Sequence, residues 1–170
     1  MRQDDLYEEA AATYGRALER LVYAYEADPD KRRDLLQEIH IALWHSFKTF
    51  EDRCSLRTWV YCIAHNTATS HITRQRRGIL GHLVSLEELD SMPDRSDNAE
   101  QHEKRSNADR LLKLIHRLNP VNRQLMLLYL EDTDAVTIGE VTGLSPRAVA
   151  TRIHRLKSLL AKQFHDRANP

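Results

Sequence analysis

Between Arg53 and Arg77 the chain carries five arginines and no acidic residue. Guanidinium groups are donors for phosphate oxygens. Within the same stretch Tyr61 and His65, about one helical turn apart, offer ring faces and hydrogen-bonding edges that suit unpaired bases. A second set of donors lies near the other end, where Arg147, Thr151, Arg152, His154 and Arg155 are followed by Lys157 and Ser158. Side chains of these types contact base edges and phosphates. Both sets point to nucleic acid. A solvated basic helix would account for the charges but not for the aromatic rings set among them.

Other chemistries have less to stand on. Cys62 and His65 are three residues apart, with Cys54 ahead of them and His71 behind. A zinc site needs four ligands converging at about 2.0–2.3 Å, and at helical pitch His71 falls on the opposite side from Cys62 and His65. Two cysteines make no disulfide framework. The sequence holds no phosphate-binding glycine loop, nucleophile motif or carboxylate-rich metal cluster. No metal, no cofactor and no enzymatic activity are expected. An enzyme built on Cys54, Cys62 and His65 would need bound zinc or a thiol of depressed pKa.

The elements that must position these residues are helices. Five glycines and five prolines in 170 residues, 41% hydrophobic content and recurrent i, i+3, i+4 apolar spacing predict an all-α protein. Residues 4–26 place Leu6, Ala10, Tyr14, Ala17, Leu21 and Tyr25 on one face, and Asp28-Pro29-Asp30 breaks that helix. A second helix, from Asp34, has Leu36, Ile39, Leu43, Phe47 and Phe50 along an apolar stripe. Asp34, Gln37, Glu38, Ile41, His45 and Lys48 lie opposite. One isoleucine among polar neighbours marks that face for a protein partner. After the polar loop 49–54, Ser55 caps a helix opening at Leu56. Its inner face is Leu56, Val60, Ile63 and Thr67, and its outer face Thr58, Tyr61, His65, Thr69, Ile72 and Arg76.

Gly78 and Gly81 end this unit, residues 85–89 suit one helical turn, and the run 91–107 nearly lacks large apolar residues. Two small helical domains, 1–77 and 108–170, joined by a flexible acidic linker, 78–107, are therefore expected. In the second domain Leu111, Leu112, Ile115 and Leu118 form the first apolar face. Asn119 and Pro120 cap and open a helix through Leu130. Thr137 and Glu140 have capping-box spacing for a short helix, 138–142, which Gly143 stops. Ser145 and Pro146 open a last helix with Val149, Ile153, Leu156 and Leu160 along one face. Short helix, glycine turn and capped second helix make a helix-turn-helix. Gly139 in the short helix costs on the order of 1 kcal/mol relative to alanine and should soften it.

A formal net charge of zero conceals segregation. Residues 1–52 have seven basic and twelve acidic side chains, and residues 53–77 are net +5. Residues 78–107 have three basic against seven acidic, and residues 108–170 ten against six. Two basic blocks alternating with two acidic ones favour a focused DNA contact that depends on another macromolecule. No run of eighteen apolar residues occurs and the N-terminus lacks the apolar core of a signal peptide, so a cytoplasmic protein without membrane insertion is expected.

D-L-L-Q-E-I at 34–39, followed by Leu43-Trp44, and L-R-T-W-V-Y-C-I-A-H-N-T-A at 56–68 resemble region 2 of bacterial RNA polymerase sigma factors of the small extracytoplasmic-function type. Residues 118–160, with S-P-R-A-V-A-T-R-I-H-R-L, resemble their region 4. The resemblance implies an alternative sigma factor whose Asp34, Gln37, Glu38, Ile41 and His45 bind core RNA polymerase. It implies that Asp52, Arg53, Arg57, Tyr61, His65, Thr69 and Arg76 melt and read the nearer promoter element, with loop 49–54 receiving a flipped base. Arg147, Thr151, Arg152, His154 and Arg155 would read promoter DNA farther from the start site. An anti-sigma protein is implied as a further partner, and the linker would lie along the path of nascent RNA. Lys31-Arg32-Arg33 departs from the acidic or small residues common there, as do Gly139 from alanine and Asn119 from leucine. The competing reading is a helix-turn-helix regulator that binds palindromic half-sites as a dimer without polymerase, with residues 1–77 for dimerisation or sensing.

Overall fold

The computed structural model of the chain describes residues 2–78 and 107–166, and among these residues it is all helical. The linker, with its acidic run and the turn expected at 85–89, lies outside the described residues. One helical body comprises α1 (Gln3–Tyr25), α2 (Pro29–Ser46), a short 3-10 turn (Phe47–Thr49) and α3 (Leu56–Gly78). The other comprises α4 (Asn107–Arg117), α5 (Pro120–Leu130), α6 (Ala135–Thr142) and α7 (Pro146–Asp166).

Local chemistry sets the helix starts. The Ser55 hydroxyl accepts from the Thr58 amide at 3.1 Å, Asn119 Oδ1 from the Asn122 amide at 2.9 Å, and the Ser145 hydroxyl from the Ala148 amide at 3.2 Å. Each takes up an amide that the first turn leaves open. Two starts differ from the sequence expectation. The break before Asp28-Pro29-Asp30 is there, with α1 ending at Tyr25, but the same residues also begin α2: Asp28 accepts from the amides of Asp30 and Lys31, and Pro29 is the first helical residue. Helix α6 likewise begins three residues early. Asp134, not Thr137, is its cap, taking the Val136 and Thr137 amides at 2.9 and 3.0 Å and the Thr137 hydroxyl at 2.8 Å. These donors, the Thr137 amide foremost, hold the Asp134 carboxyl below the usual range.

Gly143 takes φ 74° and ends α6, as its position predicts. Gly139 has a different reason to be glycine than the softening expected of it. A Cβ there would stand 2.6 Å from the carbonyl oxygen of Leu144, so the turn into α7 passes directly over the helix. Alanine should therefore lower stability by about 1–3 kcal/mol despite its better helix propensity, because the clash is with backbone. Thermal unfolding of Gly139→Ala reads this directly, and an unchanged or raised melting temperature would contradict it.

Leu6, Ala10, Leu21, Leu35, Ile39, Leu43, Val60 and Ala64 form the core between α1, α2 and α3. The buried stripe of α2 is turned toward Leu35, which is fully buried; Leu36, expected there, is half-buried. In the second body Ile115, Leu118, Leu125, Ile138, Val149, Leu156 and Leu160 are buried together. Helix α3 also packs against α5 and α6. It is covered on two sides, and this overturns the outward orientation expected for His65 and Ile72, both of which are buried. His65 lies 2.8 Å from the Tyr25 hydroxyl of α1 and 3.5 Å from Glu131, just past α5, neighbours that spacing along α3 alone does not contain.

Candidate nucleic-acid interface

Helix α7 is amphipathic in the way a groove-reading helix needs. Val149, Ile153, Leu156 and Leu160 anchor it, while Arg147, Thr151, Arg152, His154 and Arg155 are all exposed. The Thr151 hydroxyl donates to the Arg147 carbonyl at 3.0 Å, which leaves its lone pairs and methyl group facing out. Lys157 is tied to Tyr129, donating to its hydroxyl at 3.0 Å, and Ser158 bonds the His154 carbonyl. The exposed row from Arg147 to Arg155 carries side chains of the types that meet base edges and phosphates.

The second set of residues is more divided. Asp52 sits in the left-handed region at φ 54°, a conformation aspartate tolerates, and turns the loop into α3. Trp59 Nε1, in the first turn of α3, donates to the Ser46 hydroxyl at 2.9 Å and so ties the start of α3 to the end of α2. Arg53 pairs with Glu51 at 2.6 Å, and the Arg57 guanidinium lies 5.7 Å from the Tyr61 ring centre. Tyr61 is half-buried between Tyr14, edge-on, and His65, stacked at 6.0 Å. Burial pushes its phenol up. His65 is fully buried, with Nδ1 2.8 Å from the Tyr25 hydroxyl. Thr69 is half-buried beside it, and Arg76 lies in the last turns of α3. Arg57 and Tyr61 therefore share one accessible end of α3, from which His65 is withheld.

On α2, Asp34, Gln37, Ile41 and His45 are exposed, Ile41 at 51%. Glu38, the fifth residue expected on that face, is committed within the chain: its carboxylate meets His71 at 3.1 Å and Arg74 at 2.5 Å. The two cysteines differ from what a thiol nucleophile needs. Asn66 Nδ2 donates to the Cys62 sulfur at 3.5 Å, and burial raises the pKa of both thiols, the opposite of what a nucleophile requires.

Sequence reasoning missed the residues that join the two bodies. Arg123 is 4% exposed, and its guanidinium donates to the carbonyls of Tyr25, His116 and Leu118. Burial, with that guanidinium beside it, holds the His116 imidazole below its ordinary range. Gln124 Nε2 donates to Asn66 Oδ1 at 3.1 Å. The one available signal was Asn122-Arg123-Gln124 directly before Leu125-Met126-Leu127-Leu128, a run too apolar to leave its polar start in water. Arg32, one of three basic residues that looked out of place, also has a structural task. It donates to the carbonyls of Glu26 and Ala27 at 2.8 and 2.5 Å and covers the Tyr23 ring.

These two exposed surfaces fall within two stretches that match known family models, sigma-70 region 2 over residues 4–78 and sigma-70 region 4 over residues 108–160. The chain belongs to the sigma-70 family. As a member, this sigma factor is a transcription initiation factor of the extracytoplasmic-function type. It is 36% identical to the ECF RNA polymerase sigma factor SigX of Bacillus subtilis (strain 168) over 72 residues, which is 41% of this chain and 37% of that protein's length. To SigW of the same organism it is 24% identical, across 95% of this chain and 90% of the relative. Its fold is shared with the sigma factor RpoE of Bartonella quintana, solved in complex with the anti-sigma factor NepR. The TM-score is 0.66 at 18% identity, over 92% of this chain and 94% of that one. Among the described residues no helix is long and apolar enough to cross a membrane.

Proposed function

We propose that this sigma factor binds core RNA polymerase through the exposed face of α2, centred on Ile41 with Asp34, Gln37 and His45, and directs the enzyme to promoters read by α7. The presence of both sigma regions in one chain carries this reading, supported by an exposed α2 face around Ile41 in the first and an exposed basic face on α7 in the second. Arg147, Thr151 and His154 are placed for base edges, and Arg152 and Arg155 for phosphates. The loop around Asp52 and Arg53, with Arg57, Tyr61, Thr69 and Arg76 and, when accessible, His65, takes the unpaired strand. The protein has no catalytic role of its own: bond formation belongs to the polymerase, and binding energy drives melting. It works in the cytoplasm, where the polymerase is. An anti-sigma protein is a fitting third partner, supported by the relative solved with one.

A dimeric regulator acting without polymerase is not favoured, since residues 4–78 match the polymerase-associated region and not a dimerisation module. The two readings separate in one gel-filtration experiment. Mixed with core polymerase, the protein should co-elute as a one-to-one complex and remain monomeric alone. A stable dimer that stays apart from polymerase would overturn the proposal.

A further inference from the structure

We propose that Glu38 of α2 masks Arg74 of α3 and thereby limits the non-specific hold of α3 on nucleic-acid phosphates, with His71 as the residue that positions the mask. The inference rests on the strand-binding role given above to α3. The basic block 53–77 has five arginines and no acid of its own. Acids from outside the block answer two of them: Glu51 meets Arg53 at 2.6 Å, and Glu38 meets Arg74 at 2.5 Å. The two pairs differ in how they are held. Arg53 and Glu51 are both largely exposed, and a pair of that kind is readily given up to water and salt. Glu38 is fixed from behind. While its Oε2 takes Arg74, its Oε1 lies 3.1 Å from His71 Nδ1. Gln75 Nε2 lies 2.6 Å from His71 Nε2, and Gln75 Oε1 accepts from Lys31 Nζ at 3.4 Å. With its oxygen turned to Lys31, Gln75 gives an amide hydrogen to His71 Nε2, so the ring hydrogen sits on Nδ1, facing the carboxylate.

His71 is buried, whereas Arg74 is exposed. The carboxylate is therefore ordered before any phosphate arrives, and a phosphate approaching Arg74 competes with an anion already in place. Arg57 stands in a different setting. Its guanidinium lies 5.7 Å from the centre of the Tyr61 ring, a neutral neighbour that leaves its charge for a strand. Phosphate contacts carry no sequence information. An arginine withheld from them lowers the sequence-independent part of binding, which would otherwise hold the protein on any nucleic acid. Lys31, another of the three basic residues that looked out of place, has its task here, closing the row of contacts that steadies Glu38.

The test measures binding of the full chain to a fluorescent single-stranded oligonucleotide of random sequence over a range of salt concentrations. Glu38→Gln keeps an oxygen for His71 Nδ1 and removes the charge that holds Arg74. Its affinity at low salt should rise about tenfold, and the slope of log affinity against log salt should steepen by about 0.7, the mark of one added phosphate contact on a single strand. Arg74→Ala alone should change affinity less than about twofold, and the double variant Glu38→Gln, Arg74→Ala should return to the parent slope. His71→Leu should reproduce the steeper slope, and His71→Asn, which keeps a donor in the place of Nδ1, should restore the parent one. A parent slope in His71→Leu overturns its positioning role. Unchanged binding by Glu38→Gln, a gain that persists in the double variant, or a shallower slope in Arg74→Ala overturns the mask, the last without need of a folded Glu38 variant. Arg57→Ala checks the reading beneath, and its slope should become shallower by about 0.7. If it does not, the strand-binding role of α3 falls and the Glu38→Gln result still decides the mask; if only Glu38→Gln is silent, the mask alone falls.

Discussion

Ile41→Asp should abolish capture of core RNA polymerase while leaving helicity and melting temperature nearly unaltered. The side chain is 51% exposed on α2, opposite the buried Leu35, Ile39 and Leu43. A charge there meets water in the free protein, where surface substitutions stay within about 0.5 kcal/mol. In the complex it would sit, unpaired, at the centre of an interface. Central anchors of that kind cost at least about 2 kcal/mol when lost, roughly thirtyfold in affinity, and a buried unpaired charge adds to this. Binding to immobilised core polymerase, with circular dichroism of the free variant, measures both effects. Unchanged affinity, or unfolding, would count against this face as the docking surface. Glu38→Ala makes a useful contrast, since its carboxylate already holds His71 and Arg74 and its loss should loosen α3 against α2 before it affects docking.

The second large effect is expected on α7. Arg147→Ala and Thr151→Ala should each lower affinity at one or two promoter positions by about 1–3 kcal/mol, or roughly 5- to 150-fold, with other positions little changed. Arg155→Ala should instead weaken all sequences about equally and reduce the salt slope of binding by roughly one. Selection from a randomised promoter library separates the two patterns. Uniform loss from all three variants would mean that none of these side chains reads sequence.

Much of this architecture is written locally. Asn119-Pro120, Ser145-Pro146 and Gly143 each act within one helical turn, and the structure uses them as their chemistry predicts. The early starts of α2 and α6 were misread because an aspartate followed by a proline or by apolar residues can end one element or cap the next. Only the backbone direction at Asp28 and Asp134 decides. The exposed faces of α2 and α7 were legible because each helix buries one stripe. The burial of His65 was not legible, since it is met by Tyr25 at the end of α1 and by Glu131 just past α5, both far from it in the chain and beyond any helical period. Gly139 belongs to the same class: its reason is a carbonyl of the next turn, which no propensity scale contains.

The central claim, that one chain both docks on polymerase and selects its promoters, is tested most directly by run-off transcription with purified core polymerase and a promoter library. Transcripts should appear only when this sigma factor is added, and they should start at a fixed distance from two shared elements, the more distant of which shifts in Arg147 and Thr151 variants. Absence of such transcripts, together with protection of palindromic half-sites by the protein alone, would contradict the account.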